Sequence, residues 1–256
     1  MTRVLSLSLA MAAILLGLSL AGCQRPPSDR VQGYIEGEFV FVASPLPGAL
    51  QKLEVQRGAE VKVGDPLYQL DETMERAARE QARAALVLSE AEFKRQEEMF
   101  GSGVSAAQEL DRARAARDQD RQRLTQAEWN FAQKIQRAPR AGLVFDTLYR
   151  EGEWVAANRP VISLLPPANV KLRAFVPQER IGAIHAGDAV RVFVDGAPAP
   201  VAGKVSFVSP RAEYTPPVIY SRESREKLVF MVEAVFDPAV AVKLHPGQPV
   251  DVEFGP

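Results

Sequence analysis

The chain of 256 residues contains one cysteine, Cys23, and two histidines, His185 and His245. A single cysteine excludes an internal disulfide, and two histidines beside turn sequences, without further ligands at suitable spacing, do not indicate a metal site. The formal net charge is −1 and the sequence pI is about 6.2, so the basic patch typical of nucleic-acid-binding proteins is missing. Nucleophile elbows, phosphate-binding loops and dinucleotide fingerprints are also missing. These absences predict a protein that is not an enzyme and that holds no metal or organic cofactor.

Proline is absent from residues 67–138, although the chain has 19 prolines. This stretch is rich in Ala, Glu, Arg and Gln and predicts two helices, at residues 72–99 and 106–135, each roughly 40–45 Å long. Small and apolar residues at a three-four spacing predict that the helices form an antiparallel coiled-coil hairpin. The seam positions expected from this spacing are Met74, Ala78, Ala85, Leu88 and Glu92 in the first helix, and Leu110, Ala113, Arg117, Asp120, Leu124, Ala127 and Phe131 in the second.

The predicted hairpin turns at residues 100–105, where two glycines end the first helix. Ser105 is placed to be the N-cap of the second helix, because its hydroxyl can accept a hydrogen bond from a free amide of the next turn. Gln108 stands three residues later and completes a capping box. A second interpretation is that this turn, as the point furthest from the rest of the protein, contacts a partner.

Two glycine- and proline-marked stretches flank the predicted hairpin, and they are copies of one pattern. Residues 43–70 match residues 137–164 at a constant offset of 94 positions. Both copies contain short, apolar, β-prone runs, and neither has enough apolar residues to bury a core alone. We therefore expect the copies to fold face to face into one small β-sandwich. The matching pairs are Pro45–Pro139, Gly48–Gly142, Leu50–Val144, Gly58–Gly152, Val61–Val155, Pro66–Pro160, Leu67–Val161 and Leu70–Leu164.

Residues 167–256 form a third, β-rich region. Turn sequences such as Asp195-Gly196 and Pro246-Gly247 separate about five β-prone runs. Five strands in 90 residues predict a small barrel, and residues 177–182 predict one short helical turn. The segment 211–227 is long and polar, and loops of this length are usually functional or mobile.

The N-terminus has the features of an export signal. Arg3 precedes an apolar run at residues 4–20, which is shorter than most membrane spans and ends in Leu20-Ala21-Gly22-Cys23. This ending resembles the lipobox of bacterial lipoproteins, in which the cysteine is acylated and becomes the first residue of the mature chain. The resemblance implies lipidation at Cys23; a plain secretory signal and an uncleaved anchor are the alternatives. All three place the remainder outside the cytoplasm.

The order of these parts resembles the HlyD family of membrane fusion proteins, also called periplasmic adaptors. C-terminal motifs such as Gly203-Lys204-Val205 and Pro246-Gly247-Gln248-Pro249-Val250 are similar to those of adaptors encoded with ABC-type exporters. The resemblance implies a mixed, mainly β fold that combines a split lipoyl-like (biotinyl-like) β-sandwich, an α-helical hairpin and a C-terminal small β-barrel. The implied division is a signal peptide at 1–22, a tether at 23–33, lipoyl-like halves at 34–71 and 136–166, the hairpin at 72–135 and the barrel at 167–256.

In this family the hairpin tip carries an arginine, a leucine four residues later, a glycine or polar turn, an aliphatic–serine pair and an aspartate. The matching residues here are Arg95, Met99, Gly103, Val104, Ser105 and Asp111, with Met99 in place of the leucine. The resemblance implies that this tip binds a TolC-like outer-membrane channel. It further implies an inner-membrane transporter, of ABC type, as a partner. The length and polarity of segment 211–227 favour this segment as a contact with that transporter.

The same resemblance implies self-association into a ring. The lipobox implies a lipid anchor in the bacterial envelope, with the inner membrane favoured. Intact lipoyl and biotinyl domains carry their cofactor on a lysine, but the nearest match here, Glu72-Thr73-Met74-Glu75, places a carboxylate there. Lys52, Lys62 and Lys134 are interpreted as surface lysines. The implied function is an adaptor that links an exporter to an outer-membrane channel. The alternative is an envelope lipoprotein with a structural or small-ligand-binding role.

Overall fold

The computed structural model describes residues 30–214 and 228–255, which form fourteen strands, two long helices and three short helical turns within those ranges. In chain order the elements are β1 Val31–Gly37, β2 Val40–Ala43, β3 Gly48–Leu53, β4 Glu60–Val61, β5 Pro66–Leu70, α1 Thr73–Gly101, α2 Ala107–Ala132, β6 Ile135–Arg137, β7 Gly142–Thr147, β8 Trp154–Val155, β9 Pro160–Leu165, a 3-10 turn Pro167–Asn169, β10 Val170–Pro177, α3 Gln178–Ile181, β11 Ala189–Val194, β12 Val201–Tyr214, β13 Leu228–Val235, α4 Pro238–Ala241 and β14 Pro249–Phe254.

Six strands close into a barrel in the order β1, β10, β13, β12, β11 and β14. Buried and half-exposed residues alternate along β10, as expected for a strand with one face on a core. Leu172, Val192, Val232 and Val252 are fully buried inside the barrel. The prediction of a mainly β fold with a small barrel is therefore confirmed, as is the short helical turn at α3.

The first barrel strand comes from a part of the chain that was predicted to be tether and sandwich. β1 pairs with β10 and with β14, and Ile35 is fully buried in the barrel core. The predicted boundary at residue 34 is wrong, because β10 and β14 would otherwise remain open edges with unpaired backbone groups. The chain thus passes through the barrel before it enters the sandwich.

The two copies of the repeated pattern form one sandwich of two four-stranded sheets. The sheet orders are β2-β9-β7-β4 and β6-β5-β3-β8, so each sheet takes two strands from each copy. Leu50, Leu67 and Leu70 from the first copy pack in one core with Val144 and Leu164 from the second, and all five are fully buried. Neither copy forms a sheet by itself, which agrees with the expectation that neither could bury a core alone.

The repeat is expressed as an approximate two-fold symmetry of backbone pairing. Gly48 pairs with Val155, and the residues 94 positions away from them in the other copy, Gly142 and Val61, pair in the same way. Backbone hydrogen bonds obey the same rule. The bond from Leu50 N to Glu153 O is equivalent to the bond from Val144 N to Ala59 O. The bond from Gly152 N to Leu50 O is equivalent to the bond from Gly58 N to Val144 O, and all four are 2.8 Å long.

A positive backbone angle is repeated as well. Gly64 has φ 88°, and its equivalent Asn158 has φ 60°, in the left-handed region that asparagine tolerates better than most residues. The Gly64 amide donates to Ala138 O at 2.9 Å, and the Asn158 amide donates to the equivalent Ser44 O at 2.8 Å. The turn geometry therefore belongs to the repeat, and the asparagine adopts it in the second copy.

Helices α1 and α2 contain 29 and 26 residues and run side by side in opposite directions. Ion pairs between Arg83 and Glu128 at 3.8 Å, and between Arg121 and Glu90 at 3.6 Å, link their surfaces. Within residues 30–214 and 228–255, no helix is both long enough and apolar enough to cross a membrane.

The face of α2 that contacts α1 is the predicted one, but the predicted face of α1 is only partly right: Ala85 and Glu92 are half-buried, whereas Met74, Ala78 and Leu88 are exposed. Met74 and Leu88, expected in the seam, are 77% and 69% exposed. The guanidinium of Arg79 lies 4.0 Å from the ring centre of Phe131, and that of Arg117 lies 4.1 Å from that of Phe93. These cation–π contacts lie in the seam, where the apolar side chains of Met74 and Leu88 were expected. The half-buried α1 positions are Glu75, Arg79, Ala82, Ala85, Leu86, Ser89, Glu92, Phe93 and Gln96.

Candidate partner-binding tip of the helix pair

The turn between the helices is held by backbone hydrogen bonds to the last turn of α1. Met99 O accepts from the amides of Val104 at 2.9 Å and Ser105 at 3.3 Å, and Phe100 O accepts from Gly103 N at 3.0 Å. Gly103 has φ +78°, the left-handed conformation that commonly ends a helix and that glycine adopts without a steric penalty. The sequence therefore folds into a tight turn that points Val104 outward.

Ser105 does not cap α2, contrary to the prediction. The N-cap residue is Ala106, which has no side chain to accept a hydrogen bond. Because the helix begins one residue later than expected, Ser105 faces the seam, and its hydroxyl donates to Gln96 Oε1 at 2.9 Å. The serine thus joins the turn to α1 instead of starting α2.

The tip presents an apolar patch to solvent. Val104 is 74% exposed, and Met99 and Phe100 are also exposed. Such clusters at the end of a projecting element are typical of protein contact sites. The sequence interpretation included Met99 and Val104 but treated Phe100 only as part of the helix break. The sequence did contain a signal for Phe100: it is an aromatic residue next to a helix-ending glycine, in a part of the chain far from both β-cores.

The charged residues of the predicted tip lie beside this patch. Arg95 lies one helical turn before Met99 and forms an ion pair with Glu92. Hydrogen bonds from Gln96 and Arg95 lower the pKa of the Glu92 carboxyl. Asp111 lies 3.8 Å from Arg114, about 6 Å along α2 from its first residue. The turn therefore gathers Met99, Gly103, Val104 and Ser105, with Arg95 one turn before them and Asp111 one turn after.

At the other end of the helix pair, the structure corrects one lysine assignment. Lys134 is not a surface lysine, because its side chain is 4% exposed; its Nζ donates to Pro47 O at 2.7 Å and lies 3.0 Å from Glu75 Oε1. Glu72 is buried as well and forms an ion pair with Arg76 in the first turn of α1. Glu75, the position compared with a cofactor-bearing lysine, is thus a carboxylate paired with Lys134, and Lys134 itself is enclosed.

A cleft of about 510 Å³ lies between the sandwich and the barrel. Ala141 and Gly142, which line it, are the repeat equivalents of Pro47 and Gly48, which surround the Lys134 ammonium. Twelve of its fifteen lining residues have apolar side chains or are glycine. The others are Glu60, Lys62 and His245. Apolar clefts of this size between structural units are common binding sites for small molecules.

Two other predicted sites are not described by the structure. Cys23 and most of segment 211–227 lie outside the described ranges, so lipidation and transporter contact remain predictions. In the part of the chain that the structure covers, no three His, Cys, Asp or Glu side chains are grouped as metal ligands.

Sequence comparison identifies relatives but no defined family. No family profile matches the chain. It is 28% identical over 298 residues to a UPF0194 membrane protein of Yersinia pseudotuberculosis serotype IB (strain PB1/+), an alignment that covers 90% of both proteins. Because those 298 aligned positions exceed the 256 residues of this chain, the relative contains segments that this chain lacks.

Structure comparison finds adaptor folds. A MacA–MexA chimeric protein, which contains the α-hairpin domain of Pseudomonas aeruginosa MexA, superposes with a TM-score of 0.72 at 22% identity over 88% of this chain and 79% of that one. The membrane fusion protein Spr0693 from Streptococcus pneumoniae R6 superposes with a TM-score of 0.66 at 16% identity over 88% and 98%. The resemblance drawn from the sequence is confirmed at the level of the fold: the chain has the fold of the membrane fusion proteins.

Proposed function

We propose that this protein is a periplasmic adaptor that links an inner-membrane exporter to an outer-membrane channel for efflux or secretion. One observation carries the proposal. A long helix pair leaves a sandwich that is built from both copies of the repeat, and a closed six-stranded barrel adjoins that sandwich. This is the arrangement implied by the resemblance, with a lipoyl-like domain of residues 40–70 and 135–165, a hairpin of residues 73–132 and a barrel to which β1 also belongs.

In this proposal each part has a mechanical role. The tip binds a TolC-like channel through Met99, Phe100 and Val104, with Arg95, Gly103, Ser105 and Asp111 shaping and flanking the contact. The barrel and segment 211–227 face the transporter, and acylated Cys23 anchors the chain to the inner membrane. The adaptor performs no chemistry, and an ABC-type ATPase supplies the energy. The membrane-protein name of the Yersinia relative supports an envelope location.

We also propose that several copies form a ring around the exported substrate. The exposed apolar side chains of α1 support this step. Met74, Val87 and Leu88 are each more than 60% exposed, and a solvated helix surface of this kind gains stability when a neighbouring copy covers it. A ring would place such neighbours side by side.

Copurification tests the adaptor proposal. The full-length tagged protein would be extracted in mild detergent from native envelopes after chemical crosslinking. We expect rings of about six subunits together with an ATPase, a permease and an outer-membrane channel. Recovery of an uncrosslinked monomer without transport proteins would contradict the proposal.

The apolar cleft favours one second candidate, an envelope protein that binds a small apolar ligand. In that case the purified protein would bind a fluorescent apolar probe such as 1-N-phenylnaphthylamine in the cleft. Val242→Asp would abolish the binding, since Val242 lines the cleft, whereas Val63→Asp would not, since exposed Val63 lies outside it. Saturable binding by a monomer that recovers no transport proteins would favour this candidate over the adaptor.

A further inference from the structure

The two charged residues that are buried among the described residues both lie at the root of the helix pair. Glu72 precedes α1 and Lys134 follows α2, where the helices meet the sandwich. Burying an ammonium is costly unless it is paired and hydrogen-bonded. A buried lysine at a junction therefore requires partners that the fold holds in place.

The partners of Lys134 come from the segments that meet at this root. Its Nζ binds Pro47 O, in the turn before β3, and Glu75, in the first turn of α1. Its own carbonyl accepts from Leu70 N at 2.8 Å at the end of β5. One residue therefore connects the sandwich, the start of α1 and the end of α2.

Two further observations tie this charge to the helix root. The repeat equivalent of Lys134 is Val40, a half-buried residue that packs against the sandwich core near the barrel, so the sandwich fold does not itself require an ammonium here. Gly48 leaves room for it, because a Cβ at that position would lie 3.2 Å from Nζ. The charge is thus present at the end of the sandwich that bears the helices and absent from the equivalent position at the other end.

We propose that Lys134 is a positioning residue that sets the angle at which the helix pair leaves the sandwich. Helix α1 is about 44 Å long at 1.5 Å per residue, so a tilt of about 10° at its root displaces the tip by roughly 8 Å. Loss of the ammonium frees the first turn of α1 from the turn before β3. The consequence for export rests on the proposed function, but the angle itself is a property of the isolated protein.

The test measures the distance from the tip to the sandwich in the full-length protein. Nitroxide labels are attached to noncanonical residues at exposed positions 104 and 148, and the distance distribution is recorded by double electron–electron resonance. Lys134→Met keeps the length of the side chain and removes the charge. We expect the distribution to be at least twice as wide as in the unsubstituted protein, under conditions where circular dichroism shows a native fold.

Two variants keep the test decisive. Glu75→Gln retains the contact of Lys134 with Pro47 and removes its ion pair with Glu75, so we expect a smaller broadening of the distance distribution. If Lys134→Met does not fold, the result for Glu75→Gln decides the test. Val144→Ala makes a cavity in the sandwich core away from the root; we expect it to lower the melting temperature and leave the distribution unchanged.

Unaltered distributions in folded Lys134→Met and Glu75→Gln would overturn the positioning role. Equal broadening in Val144→Ala would overturn it too, because general destabilisation would then explain the effect. Neither result bears on channel binding, which requires a partner and is measured separately.

Discussion

Gly48 pairs with Val155 across strands β3 and β8, and the same exchange is repeated between Gly142 and Val61. The two halves of the sandwich are therefore interlocked, each sheet completing itself with strands from the other half. Because the helices are inserted between the halves, their two ends emerge at one edge of a single folded unit. A rigid platform for a projecting helix pair follows from this topology.

Shared packing predicts that damage to either half destabilises both. Leu50 and Leu164 come from different copies and are fully buried in one core. Leu50→Ala and Leu164→Ala are each expected to cost about 2–5 kcal/mol. Hydrogen exchange followed by mass spectrometry should show faster exchange in peptides from both 48–70 and 135–165. Leu172→Ala in the barrel is the control and should leave the exchange of those peptides unchanged; faster exchange confined to the substituted half would contradict the shared core.

The Ser105–Gln96 hydrogen bond predicts energetic coupling at the tip. Ser105→Ala and Gln96→Ala each remove the same bond, so the double variant should lose less stability than the two single losses combined. We expect a coupling of about 0.5–1 kcal/mol, measured by chemical denaturation. If Ser105 acted as an N-cap, its effect would be independent of Gln96, and the losses would be additive.

The start of α1 predicts a specific pH dependence. The Thr73 hydroxyl donates to Asp71 Oδ1 at 2.7 Å, and the Thr73 amide donates to the same atom at 3.0 Å. These bonds, the hydroxyl first, lower the pKa of Asp71. Since the folded pKa lies below the unfolded one, the stabilisation is present above the unfolded pKa and is lost as pH falls through the folded pKa.

Thr73→Val should therefore raise the pKa of Asp71 towards 3.8 in an NMR titration. Its destabilising effect should be visible at pH 7 and vanish at the acidic end of the titration. Thr125→Val is the matched control, because the Thr125 hydroxyl donates to the Arg121 carbonyl and not to a carboxylate. An effect of Thr73→Val that is the same at all pH values would show that Asp71 does not depend on this hydroxyl.

The proposed tip contact predicts that two substitutions abolish export. Arg95→Glu places a second negative charge beside Glu92, and Ser105→Trp adds bulk next to the exposed patch. Both sites lie at the end of the helix pair that is furthest from the two β-cores, so we expect native circular dichroism together with loss of export. Arg83→Glu makes the same charge change about 15 Å along α1 from its first residue, where Arg83 is about half exposed, and should retain export. Normal export in both tip variants would remove the tip from the mechanism.

The repeat could be predicted from sequence because equivalent turns require equivalent residues. Gly58 and Gly152 both have positive φ angles, and that constraint is visible as matched glycines. The seam of α2 could also be predicted, because its small and apolar residues lie on one face. The adaptor fold followed from the order of these modules.

The register of α1 could not be predicted from hydrophobicity alone. Met74 and Leu88 are exposed to solvent, whereas Phe93 enters the seam and its ring is covered by the Arg117 guanidinium. An arginine side chain can cover an aromatic ring with its guanidinium group and its alkyl stem. A count of apolar residues does not include this contribution of arginine to a helix contact. The predicted α1 face was therefore right at Ala85 and Glu92 and wrong at Met74, Ala78 and Leu88.

The role of Lys134 was missed for a different reason. Its hydrogen-bond partner is the carbonyl of Pro47, 87 residues earlier in the chain. A backbone carbonyl carries no sequence signal, and the contact exists only once the two halves have folded together. The barrel strand β1 was missed similarly, because its partners β10 and β14 lie far along the chain.

Photo-crosslinking from the tip tests the adaptor role most directly. A photoreactive residue at position 104 of the full-length protein, expressed in its native cells, should form an adduct with an outer-membrane channel. The same residue at exposed position 148, on the sandwich, should not. Channel adducts from 104 and none from 148 are the predicted result; an absence of channel adducts from 104, in cells where export is active, would contradict the adaptor role.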